Sequence, residues 1–293
     1  MRYLSALACS FVLLAGCASP GTSNLRVSGD RIFIEASLNG APMEALLDSG
    51  AEMTLIDTQL AEAAGLTFAE QAQARGSGAA TVDVHFIENV DLAALGIEMP
   101  ARTIVALDLS DVAERVVGEP VTMVMGRDLF DTGRLFLDIE AGLMRPESGA
   151  AVPAGSPLPL SDAQGIKQVP ISIDGHHVMA DFDLGNGSGV LVSRAFAQTA
   201  GLLSGDRQIG QRKGGGLGGA VQLETVRADR LEIAGTTFCD ITVDVTSAEG
   251  AADANIGVSI LRHFRMMIDF PENKVWLQPS QGLPEPDCGE LSH

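Results

Sequence analysis

The sequence predicts an all-β chain folded as two homologous, barrel-like lobes with a few short helices. Three observations carry that prediction. The first is a repeat: Ala-Leu-Leu-Asp48-Ser49-Gly50-Ala51 returns as Ala-Asp-Phe-Asp183-Leu184-Gly185-Asn186. The second is the context of the repeat. A turn glycine lies eight residues before each aspartate, at Gly40 and Gly175, and residues 54–66 align without a gap to 190–202. Near the end of each half a glycine precedes an aspartate by twelve residues, Gly126 to Asp138 and Gly257 to Asp269. The third is that the segments between turn signals are short and apolar, of strand length. A repeated supersecondary unit fixes an architecture before any local motif does.

Each element follows from local chemistry. Residues 31–38 alternate as a strand, turn at Asn39-Gly40 and return to Leu47, because Asn-Gly between apolar runs favours a tight hairpin. Asp48-Ser49-Gly50 interrupts the apolar run, which resumes over 53–56. Asp57 is placed to cap a helix over 58–64 that Gly65 ends. A polar, glycine-bearing stretch follows at 71–80. Strands are expected over 81–89, 99–107 and 121–125, then a short helix at 128–132 and a hairpin of 135–139 with 143–145. Residues 150–165 carry three prolines, two glycines and no periodicity, the composition of a linker. The same order of elements then recurs from Lys167 to Pro279. The predicted organisation is therefore a leader at 1–16, a tether at 17–30, lobes at 31–147 and 167–279 joined by 148–166, and a tail at 280–293.

The leader has Arg2 followed by a short apolar stretch from Leu4 to Leu14, too short for the roughly 20 residues that span a bilayer. Leu13-Leu14-Ala15-Gly16-Cys17 resembles the lipobox of bacterial lipoproteins. That resemblance implies cleavage before Cys17, lipid on its thiol and a periplasm-facing protein anchored in the cell envelope. Ala18 and Ser19 point, by the same resemblance, to the outer membrane. An ordinary signal peptide with an incidental Cys17 is the other reading.

The whole chain carries a formal charge of −19, with no run of Lys or Arg. Phosphate-backbone binding therefore lacks its electrostatic source, and no nucleic-acid partner is expected. Cys239 and Cys288 remain once Cys9 leaves with the leader and Cys17 is acylated. An even pair in an oxidising compartment suggests a disulfide closing a loop of about 50 residues, against the alternative of two unrelated thiols. No metal spacing occurs; His176-His177 are adjacent and face opposite ways on a strand. No cofactor is expected, and a monomer is.

An aspartate at the end of a mainly apolar strand is expensive unless polar groups surround it. Two such residues at equivalent repeat positions suggest an answer by symmetry. If the halves pack about a pseudo-twofold axis, Asp48 and Asp183 meet and share one proton. One carboxylate can then take a proton from a water held between them while the other polarises a peptide carbonyl. Gly50 and Gly185 let the two backbones approach, and Ser49 can brace the pair across the axis. The loops bearing Gly76 and Gly78, and Gly215, Gly216 and Gly218, could close over an extended peptide. Gly214–Gly219 is not a phosphate loop, since it lacks the Gly-Lys-Ser/Thr ending.

Asp48-Ser49-Gly50-Ala51 resembles the signature of retropepsin-like and pepsin-like aspartic proteases. Val124-Met125-Gly126 resembles the apolar-apolar-Gly segment that supports the active-site loop there. Asn255-Ile256-Gly257 is similar, with Asn255 weakening the apolar pair. The resemblance spans nearly all of 31–279 and implies a bilobal acid-protease fold, two fused retropepsin-like lobes, and an aspartic endopeptidase whose substrate binds as an extended strand. Leu184 departs from the family, which has Thr or Ser there, so half of the reciprocal brace is missing. A non-catalytic peptide-binding descendant is the alternative that this departure raises.

Overall fold

The computed structural model describes residues 23–147, 155–280 and Cys288. The expected leader, Cys17 and most of the tail lie outside them. Most of the described chain is β-strand, arranged as three sheets.

Each lobe is built on an eight-stranded sheet, and the two sheets have the same strand order. In the first lobe the hairpin Arg31–Leu38 with Ala41–Leu47 is antiparallel, with Phe33 opposite Leu46. Asn39 and Gly40 both have positive φ at its turn, which is what makes Asn-Gly the favoured pair there. Ala41–Leu47 then runs parallel to Met123–Met125, which is antiparallel to Leu55–Asp57. The second lobe repeats this with Ile166–Ile173, His176–Phe182, Ala254–Ile256 and Val190–Ser193. In each lobe the first long strand also pairs with a distant one, Arg31–Leu38 with Thr81–Ala94 and Ile166–Ile173 with Val221–Ile233, curling the sheet toward a barrel.

The third sheet joins the lobes. Leu135–Asp138 pairs antiparallel with Phe264–Asp269, and each is backed by its own hairpin partner. Asp138 and Asp269, the twelve-residue echoes, play one local role: each accepts the amide three residues on, from Ala141 at 2.9 Å and Glu272 at 3.2 Å. Asp269 additionally pairs with Arg134 of the other lobe at 2.8 Å. A continuous apolar core runs through both lobes, with the Phe270 ring packed against those of Phe130 and Phe182.

The helix after Asp57 forms as predicted, Thr58–Ala63, with Asp57 accepting from Gln59 N at 2.9 Å and Gly65 left-handed at its end. Several bounds move. The strand expected over 81–89 extends to Thr81–Ala94, that over 121–125 shortens to Met123–Met125, and the helix at 128–132 is Arg127–Phe130. The supposed linker and tether are not bare coil where they are described. Leu158–Pro159 and Ser161–Ala163 pair with Lys274–Pro279 and Ile166–Ile173, and Ser23–Asn24 pairs with Leu143–Pro146. Sheet edges recruit such short strands whatever their propensity, because the edge offers unpaired backbone groups. A π-helix at Val112–Val117, ended by left-handed Gly118, has no counterpart in the sequence reading.

Candidate active site

Asp48 and Asp183 each stand just past the end of a strand, after Ala41–Leu47 and His176–Phe182. Their backbone amides are tied to the neighbouring parallel strand, Asp48 N to Met125 O at 3.0 Å and Asp183 N to Ile256 O at 3.1 Å. The next residues make a tight turn in which Gly50 N donates to Asp48 Oδ1 at 2.8 Å and Gly185 N to Asp183 Oδ1 at 2.9 Å. The two turns face each other. A methyl group added to Gly50 would stand 3.0 Å from Asp183 Oδ1, and one added to Gly185 would overlap the Asp48 carboxyl group. Gly185 must therefore be glycine for the carboxyls to meet, and a side chain at Gly50 would push the Asp183 carboxyl aside by a few tenths of an ångström.

Gly126 and Gly257 stand directly behind these turns. A side chain at Gly126 would run into the backbone of Ala51 and Met53, and one at Gly257 into that of Asn186 and Ser188. The space is taken because Arg127 N donates to Ala51 O at 3.0 Å and Val258 N to Asn186 O at 2.8 Å.

Ser49 is fully buried and links the two turns through its hydroxyl. Its hydroxyl donates to Phe182 O at 2.7 Å and accepts from Leu184 N at 2.9 Å. Leu184, at the equivalent position, is fully buried in the apolar core. Phe182 O and Leu184 N of the second turn are both satisfied by Ser49, so one hydroxyl ties the first turn to the second.

The surroundings of the carboxyls are unequal. Asp183 accepts three donors: Gly185 N, Asn186 N at 3.0 Å and Asn255 Nδ2 at 2.8 Å. The direction of the last is set by a relay. Ser188 N donates to Asn186 Oδ1 at 2.8 Å, so Asn186 Nδ2 faces Asn255 Oδ1 at 2.7 Å and leaves Asn255 Nδ2 for Asp183. A backbone N–H cannot reverse, which orients both amides. In the first lobe the corresponding residues are Ala51 and Val124, and neither can donate from its side chain. Burial pushes the Asp48 carboxyl up to about 7, helped by the charge of Asp183 and a hydrogen bond shared with it; Gly50 N–H and Arg31 oppose the shift. Asp181, two residues before Asp183, is pushed to about 6, chiefly by burial, against a hydrogen bond from Gln168 at 2.9 Å. The Arg31 guanidinium donates to Gly185 O, and its burial beside the pair lowers its own pKa.

The glycine loops roof this region. Gly76 and Gly78 follow the strand Gln71–Arg75, and Gly215, Gly216 and Gly218 follow Gln208–Gly214. Their tips join: Gly78 N donates to Leu217 O at 2.8 Å, Ala80 N to Gly218 O at 2.9 Å, and Gly216 N to Ser77 Oγ at 2.9 Å. Gly218 is left-handed, and a side chain on it would collide with Ala80 O. Arg115 of the π-helix, held by Asp111 at 2.7 Å, donates to Gly215 O at 2.7 Å and Gly216 O at 2.8 Å. Cys239 and Cys288 are disulfide-bonded, with 5.0 Å between their Cα atoms. Among the described residues, no three His, Cys, Asp or Glu side chains are grouped to hold a metal ion.

Sequence reasoning missed Arg31, Arg115, Asp181 and the amide relay. Asp181 and Asn255 carried a readable signal, since they stand where the first half has Leu46 and Val124. Arg31 and Arg115 carried none, because their partners are backbone carbonyls distant in sequence.

A bilobal all-β fold with one aspartate from each lobe meeting at glycine turns defines the retropepsin-like class of architecture. The aspartyl protease family matches residues 34–129 and 169–260, one stretch in each lobe and more than half of the chain, and the chain belongs to that family. It is also similar to the crystal structure of a retropepsin-like aspartic protease from Rickettsia conorii. The identity is 16%, the match covers 42% of this chain and 91% of that one, and the TM-score is 0.35. No curated protein matches.

Proposed function

We propose that the protein is an aspartic endopeptidase that hydrolyses peptide bonds with a water activated between Asp48 and Asp183. The observation that carries the reading is the unequal solvation of two carboxyls that share a hydrogen bond. Three donors converge on Asp183, while the buried Asp48 has one amide donor and keeps the proton. Asp183 is then the general base that takes a proton from the water. Asp48 is the general acid that hydrogen-bonds the substrate carbonyl as the tetrahedral carbon forms. The substrate lies as an extended strand under the joined loops, whose closure excludes bulk water.

The deciding experiment is cleavage of an unfolded protein by wild type, Asp48→Asn, Asp183→Asn and the double variant. Each single variant should lose activity by at least about a thousandfold and the double should be little worse, since residues acting as a unit give non-additive losses. Full activity in either single variant overturns the reading. Folded wild type that binds peptides and never cleaves them supports a binding module instead.

The location we propose, a lipid-anchored protein facing the periplasm from the outer membrane, rests on the sequence around Cys17. Cys17→Ser should release the protein from membranes or leave its precursor uncut. Wild-type protein that is wholly soluble with an unmodified N-terminus excludes it.

A further inference from the structure

The register of the two sheets allows the lobes to be compared residue by residue beside the aspartate pair. In the first lobe Leu46 has Phe33 and Val124 as its cross-strand partners. In the second lobe the same three places hold Asp181, Gln168 and Asn255. One strand further, Leu55 pairs with Val105, whereas its counterpart Leu191 pairs with Asp244. Cross-strand partners share a face of the sheet, and here that face is the one beside the carboxyl pair, because Leu46 and Asp181 each precede a dyad residue by two.

The consequence for packing is plain. The first-lobe set belongs to a separate apolar cluster that reaches up to Leu217 at the tip of the opposite roof loop. The second lobe has no equivalent cluster among its described residues. Its Asp244 is neutralised by a two-pronged contact with Arg212. Asp181 has only the Gln168 amide, and no cation pairs with it among the described residues. Arg31, the cation beside the Asp48–Asp183 pair, is committed to Gly185 O.

From this difference we infer that the cleft is selective on its two sides, taking an apolar side chain against the first lobe and a basic one against the second. The inference rests on the peptide-binding reading above. A strand lying across the pseudo-twofold axis presents the residues flanking its central bond to equivalent walls of the two lobes. The first-lobe wall offers only apolar surface, so a charged side chain there loses its hydration without compensation. The second-lobe wall offers a carboxylate and two amides, and a Lys or Arg side chain supplies the missing cation. An apolar side chain there leaves the buried Asp181 carboxylate with only the Gln168 amide and no cation, which disfavours it. The chain's net charge of −19 draws cationic peptides toward the protein from a distance.

The test is cleavage-site mapping by mass spectrometry on a diverse peptide library, with wild type, Asp181→Asn and the paired swap Asp181→Leu with Gln168→Phe. Wild type should cut between an apolar and a basic residue at least about tenfold more often than between two apolar ones. Asp181→Asn keeps the shape and removes the charge, and should lose most of that preference; the paired swap should reverse it. Equal cutting of both classes by wild type, or an unchanged preference in folded Asp181→Asn, overturns the inference. If wild type cleaves nothing, the endopeptidase reading has failed, and binding of the same peptides by fluorescence anisotropy decides the selectivity by itself. Tenfold tighter binding of the apolar-basic peptides supports it, and equal affinities overturn it.

Discussion

Asn255 Nδ2 donates to Asp183 Oδ2 at 2.8 Å, whereas Val124, its counterpart in the first lobe, offers Asp48 nothing. Replacing Asn255 with Val would make the lobes alike at this position. A hydrogen bond to a charged group contributes roughly 1.5–3 kcal/mol, so its loss should disfavour the ionised form of the pair. The acid limb of the kcat/KM profile should then move to higher pH by about one unit or more. A profile that keeps its acid limb in Asn255→Val would show that the amide is only a packing group.

The raised proton affinity of Asp48 has a consequence for stability. Unfolded, it titrates near its ordinary 3.8; folded, it holds its proton to about 7. Between those values the native state binds the extra proton, so stability is full below about pH 4 and falls as pH rises toward 7. Asp48→Asn removes that loss and should be more stable than wild type at pH 8 by on the order of 1–3 kcal/mol, with little gain at pH 4. Asp181 is shifted in the same direction, to about 6, so Asp181→Asn is the matching control. Urea unfolding at the two pH values measures both. Equal gains at both would remove the linkage argument.

Ser49 bonds both Phe182 O and Leu184 N across the lobes, and Leu184 is packed in the core. Restoring the family's hydroxyl by Leu184→Thr should therefore lower stability by about 1–3 kcal/mol, through lost burial and a hydroxyl placed among apolar groups. It should not raise activity. Ser49→Ala strands Phe182 O and Leu184 N together and should cost at least about 2 kcal/mol. Thermal unfolding and turnover measured on both variants check this. A more active Leu184→Thr would mean that a reciprocal brace can still form.

Arg115 holds only the second-lobe loop, through the carbonyls of Gly215 and Gly216. Arg115→Ala should free that loop, and with it the tip contacts to Ser77 and Gly78. Hydrogen exchange over 208–219 and 71–80 should speed up, and KM should rise about three- to tenfold with kcat less affected. Lysine restores the charge but not the fork that reaches two carbonyls, so Arg115→Lys should rescue only in part. Unchanged exchange in Arg115→Ala would make the contact incidental.

The repeat made much of this molecule readable from residues alone. Asp48 and Asp183 were identified because a buried aspartate is costly, and two at matched positions call for one explanation. The turns at Asn39-Gly40 and the cap at Asp57 were legible because their chemistry is local. Short strands such as Leu158–Pro159 were not, since they exist only because a distant sheet edge accepts them.

The sequence by itself determined the two-lobed β architecture, the paired aspartates and the glycines that let them meet, because these depend on pattern, turn chemistry and repetition. Only the tertiary structure decided how unlike the two halves are. Ser49 bracing both turns, the relay from Ser188 to Asp183, Arg115 on the roof loop, and Asp181 standing where the first lobe has Leu46 all rest on contacts between residues brought together from distant parts of the chain. Strand pairing and burial create those neighbourhoods, and a one-dimensional pattern cannot state which donor meets which acceptor.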